Sequence, residues 1–178
     1  MSAPELSRPV KLKAIQDDPY VIEANEAERA ALAERFGIIS IEALRAQVTL
    51  DPRADKVEAS GTLTAAITQA CAISGEDFPV AIDEDIAFIF VPADAVPVQE
   101  DDEEIEIELD DEDLDTIDYE GDSFDLGEAI AQSLALAIDP YAEGPNADSA
   151  REKAGIVTDE APSGPLAEAL AALKGNDS

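Results

Sequence analysis

Between Glu100 and Glu120, fourteen of twenty-one residues are Asp or Glu, and a run of that kind has no place in an apolar core. Residues 98–120, and the chain beyond about residue 142, have the low hydrophobicity and high charge of disordered segments. The folded body is therefore drawn from what remains. The net charge is -31 at pH 7, with no histidine. So negative a surface repels phosphate and disfavours unaided gripping of a nucleic-acid backbone, DNA included. It attracts basic proteins, polyamines or hard cations.

At 178 residues the chain suits one domain with tails or two very small ones. Aromatic residues reach only 4% and Trp is absent, which points to a modest core. Cys71 stands alone, so no intrachain disulfide can form, as fits a reducing compartment. Met1–Pro9 lacks the apolar stretch of a secretory signal, and no apolar run is long enough to span a membrane. These features lead to the expectation of a soluble cytoplasmic protein.

Periodicity sets the expected elements. Residues 8–15 alternate from Val10 and suggest a short strand with Pro9 at its start. Asn25 with Glu28 resembles a capping box, Gly37 suits the position after a helix, and good helix formers lie between, so a helix is predicted over 25–36. From Ile39 to Leu50 the period drops to two, Asp51–Asp55 breaks the chain, and alternation resumes from Val57 to Ile67 as a second hairpin strand. Gly61 inside that strand suggests a bulge. Ser74–Asp77 reads as the next turn, and 78–91 as a further strand. Ile105–Leu109 alternates strictly, as an edge strand would. Asp125–Glu128 starts a second helix, with Leu126, Ile130, Leu134 and Ile138 on one face and Asp139-Pro140 at its end. The expected fold class is α+β, an antiparallel meander packed by two helices. It occupies a single domain, 1–141, that includes the acidic and partly disordered segment 98–120. A flexible tail, 142–178, carries a short amphipathic helix at 166–174.

Much chemistry is missing. Without histidine there is no Ser-His-Asp or Cys-His relay and no histidine-bound zinc. No phosphate-binding glycine motif occurs. Forty-two acids produce close carboxylate pairs by chance, so pairing alone marks no catalytic residue. The EF-hand template fails around Gly121, since its first and last positions fall on Thr116 and Gly127. No catalytic residue, metal ligand or cofactor is assigned. Cys71, near Glu76 and Asp77, reads as a structural cysteine whose pKa those acids raise.

The segment from Gly61 through Leu63, Ala65, Cys71, Ser74, Gly75 and Glu76 to Phe78 resembles the signature of the YceD family, named for accumulation of large-subunit ribosomal RNA. A second matching block runs from Asp118 through Asp125-Leu126-Gly127-Glu128 to Asp139-Pro140-Tyr141, and Pro165–Lys174 is similar to the family's C-terminal motif. Many members carry two cysteine pairs able to hold zinc. Here Ser74 takes one position, Gly75 replaces a common leucine, and the downstream pair is absent.

The resemblance implies a non-enzymatic role in ribosome biogenesis, through large-subunit rRNA or a basic ribosomal protein. Charge favours the second route. The acidic strip Asp101, Asp102, Glu103, Glu104, Asp110, Asp111, Glu112 and Asp113 is the candidate surface for a basic ribosomal protein or assembly factor. Arg45, Arg53 and Lys56 are the candidates for a small RNA-facing patch. The alternative is a small enzyme using carboxylates or a divalent metal.

Overall fold

The computed structural model describes residues 4–95 and 116–156. The chain divides into two compact units, Met1–Gln69 with Pro79–Asp139, and Ala70–Phe78 with Pro140–Ser178.

Along the chain, β1 (Pro9–Lys11) and β2 (Tyr20–Glu23) precede α1 (Glu26–Phe36). Then come β3 (Ser40–Pro52), β4 (Val57–Ala70), β5 (Asp77–Pro92), β6 (Thr116–Tyr119), β7 (Ser123–Asp125) and α2 (Leu126–Ala137). A five-stranded sheet has the order β2-β3-β4-β5-β6, and β1 pairs with β7 in a separate ribbon. β2–β3 and β3–β4 are antiparallel, whereas β6 runs parallel to β5. The fold is the expected α+β class with a mostly antiparallel sheet.

Local chemistry accounts for both helices. At α1, Asn25 accepts from the Glu28 backbone N–H at 3.0 Å while the Glu28 carboxylate accepts from the Asn25 N–H at 2.8 Å. Gly37 ends the helix at φ 67°, a left-handed conformation in which a side chain is strained. At α2, the Asp125 carboxylate accepts from the Gly127 and Glu128 N–H groups. Leu126, Ile130 and Leu134 are fully buried, and the core continues through Leu63, Ile67 and Phe90 of the sheet.

Two local expectations need correction. The strand expected over 8–15 stops at Lys11, and Leu12–Ala14 forms a 3-10 turn. Its partner β7 has only three residues, confined between the Gly121 turn and the start of α2, so pairing ends there. Gly61 is not bulged; it pairs regularly with Val48, and the irregularity falls between Ile41 and Ala43. Glycine is needed at 61 because a Cβ would lie 1.9 Å from the Gln47 carbonyl oxygen. Ile105–Leu109 lies outside the described residues.

The second unit contains α3 (Ala147–Ala154), where a flexible tail was expected. Composition there is polar, but contacts distant in sequence supply order. The Ala72 N–H donates to the Ala142 carbonyl at 3.0 Å, and the Asn146 amide donates to Glu76 at 2.7 Å. Ala147 is buried, and Gly155 closes the helix at φ 71°. The helix expected at 166–174 lies outside the described residues.

Candidate functional site

All six arginines fall within the described residues, and each is engaged by an acceptor of the chain itself. Arg8 grips both carboxylate oxygens of Glu28 at 2.8 and 3.0 Å, and that hydrogen bonding holds the Glu28 carboxyl below its usual range. Arg35 joins Glu128 at 2.8 Å and Glu5 at 2.9 Å, which raises its pKa and lowers that of Glu128. Arg29 donates to the carbonyls of Ala24 and Ile41. Arg151 pairs with Glu143 and Asp148.

The three candidate RNA-facing residues do not form one patch. Arg45 lies within β3 and pairs with Glu23 at 3.0 Å. Arg53 and Lys56 occupy the β3–β4 hairpin tip, eight and eleven positions further along, roughly 26 Å away for Arg53 at ~3.3 Å per residue. Arg53 pairs with Asp51 at 2.6 Å, and Lys56 with Glu58 at 3.1 Å. Phosphate would have to displace these carboxylates, although exposed pairs of this kind are weak. Asp101, Asp102, Glu103, Glu104, Asp110, Asp111, Glu112 and Asp113 lie outside the described residues.

The family-motif residues separate into the two units. Gly61, Asp125 and Leu126 belong to the first, where Gly61 admits the Gln47 carbonyl and Leu126 is fully buried. Asp125 holds more than the helix start: it also accepts from the Arg8 backbone N–H at 2.7 Å and from the Ser7 hydroxyl at 2.6 Å. Cys71, Glu76 and Phe78 belong to the second unit. There the Glu76 carbonyl accepts from the Cys71 N–H at 2.8 Å, and a Cβ on Gly144 would meet the Phe78 ring at 3.0 Å.

Cys71 corrects a further expectation. Its sulfur accepts from the Ser74 N–H at 3.3 Å and the Ile73 N–H at 3.4 Å. Its pKa is lowered to about 7, foremost by the Ser74 hydroxyl and then by the Ser74 backbone N–H. Donors aimed at the sulfur set this direction, and burial is what opposes them. Because the folded-state pKa is depressed, the thiolate's contribution to stability is complete above the unfolded value, about 8.5, and is lost as pH falls through 7. Stability of the wild type is therefore expected to rise between pH 7 and 9, with no histidine titrating nearby, and Cys71→Ala is expected to remove that rise. Urea melts at both pH values check this; a flat wild-type profile contradicts it.

Sequence reasoning missed a hollow of about 510 Å³ between β5, the start of β6 and α2. Phe88 and Ala129 contribute apolar surface to it, and Glu84 and Asp85 contribute carboxylates. Leu136, 83% exposed, stands on its α2 side. The signal that could have found it is Asp83-Glu84-Asp85, which interrupts an otherwise apolar strand. Among the described residues, no group of three or more His, Cys, Asp or Glu side chains converges to hold a metal. No described helix is long and apolar enough to cross a membrane.

These features define a small acidic α+β protein whose arginines serve its own fold. Residues 59–174 match the family model described as "Large ribosomal RNA subunit accumulation protein YceD", and the chain belongs to that family. No curated protein and no solved structure matches the chain. The family is named for accumulation of large-subunit rRNA and not for a catalysed reaction.

Proposed function

We propose that the protein is a non-enzymatic ribosome-biogenesis factor in the cytoplasm that supports accumulation of large-subunit rRNA by binding a basic ribosomal protein or assembly factor. The family membership supports the link to large-subunit rRNA. The observation that carries the partner is the commitment of every arginine to an internal acceptor in a chain of net charge -31. Few cations remain to replace the counterions condensed on RNA, whereas dense carboxylates speed association with a cationic protein and give a bond that weakens with salt. The acidic strip from Asp101 to Asp113 is a dense local run of those carboxylates, and it keeps the bound partner soluble until RNA displaces it.

The test replaces the acids of 100–120 with Asn and Gln and measures capture of ribosomal proteins from a lysate. Capture is expected to fall about tenfold or more at low salt, and the difference to shrink as salt rises. Capture equal to that of the wild type at every ionic strength removes the reading.

A further inference from the structure

One edge of β5 is only partly paired among the described residues. That strand has 16 residues, and β6 pairs only with its last part, from Ile89↔Thr116 to Pro92↔Tyr119. Among the described residues, no strand pairs with Pro79–Phe88 on that side, while β4 lies on the other. An open edge offers unpaired N–H and C=O groups to any extended chain.

Asp83, Glu84 and Asp85 are exposed on this edge. Side chains alternate along a strand, so Glu84 stands on the same face as buried Ile82 and Ile86. These carboxylates oppose pairing with a second copy, whose own acids would meet them, and equally oppose the chain's acidic segment. They favour a cationic strand. The hollow beside the edge adds the apolar half of a recognition surface, with Phe88 and Ala129 buried in it and Leu136 exposed at its side.

We propose that Pro79–Phe88 of β5 docks an extended Lys- and Arg-rich segment of a partner protein, which adds as a strand in line with β6. Its cationic side chains meet Asp83 and Asp85 on the outer face, and alternate apolar ones enter the hollow past Glu84, against Leu136. This rests on the basic-partner reading and assigns it a place on the fold.

The test uses the full chain and a synthetic peptide alternating lysine and valine over about eight residues, the usual length of a strand. Affinity and backbone amide exchange are measured for the wild type, for Asp83→Lys with Asp85→Lys, for Leu136→Ser and for the variant neutralised over 100–120. Circular dichroism confirms that each is folded. The peptide is expected to slow exchange across Ala81–Phe88. The double reversal is expected to weaken binding about tenfold or more, and Leu136→Ser several-fold. Binding that ignores both variants and leaves β5 exchange unchanged overturns the docking site but keeps the basic-partner reading. Slow exchange along this edge in the free protein, lost when 96–115 is deleted, also overturns it. Absence of any binding at low salt removes the basic-partner reading itself, and the docking site with it.

Discussion

Gly61→Val is expected to destabilise the protein by on the order of 3 kcal/mol or more, and to leave little folded material at physiological temperature. An added Cβ would sit 1.9 Å from the Gln47 carbonyl oxygen and 2.9 Å from both the Gln47 carbonyl carbon and the Val48 Cα. All three are backbone atoms, so no rotamer change relieves the clash. β3 and β4 would have to separate at their middle, where Val48 pairs with Gly61. Gly75→Ala provides the contrast. Nothing lies within 4 Å of its added Cβ, and only the backbone conformation at φ 72° opposes the change, at about 1 kcal/mol. Urea denaturation of the two variants checks the order; wild-type stability of Gly61→Val contradicts the close approach.

Phe90→Ala is expected to cost about 3–5 kcal/mol. Phe90 is fully buried, stacks on Phe124 with ring centroids 3.9 Å apart, and meets Phe88 edge-on at 5.4 Å. The chain has five Phe and no Trp, and three of those five rings are gathered in this one place. Neighbours drawn from β5 and β7 cannot collapse into the space of a lost ring without breaking the sheet or the start of α2. Leu136→Ala, at an 83% exposed position, is expected to change stability by less than about 0.5 kcal/mol. Thermal melts of both variants check the difference, and a similar midpoint for the two contradicts it.

What the sequence made legible is what local chemistry decides. The Asn25–Glu28 capping box, the Gly37 stop, the β3–β4 alternation and the α2 stripe all depend on neighbours within a few positions. What it hid depends on distant chain. β6 is four residues long beside an acidic run, too short for a period to register, and its parallel pairing with β5 is non-local. α3 has polar composition and owes its order to residues 70–78. A glycine within an alternating run signals either a bulge or a close approach, and only the position of the Gln47 carbonyl distinguishes them. The direction of the Cys71 pKa shift was hidden because proximity to acids in sequence says nothing about which donors point at sulfur. For the candidate site, the sequence counts eleven Lys and Arg but not their partners. Arg45 and Arg53 look available in a list of charges and carry carboxylates in the fold.

The most direct measurement is binding of the purified full chain to naked large-subunit rRNA across a salt series that includes about 0.15 M, where screening resembles that of the cell. The account predicts no saturable association at that ionic strength, and recruitment of the protein to RNA only when a cationic ribosomal protein is added. Tight, sequence-selective binding by the chain alone at 0.15 M salt would contradict it.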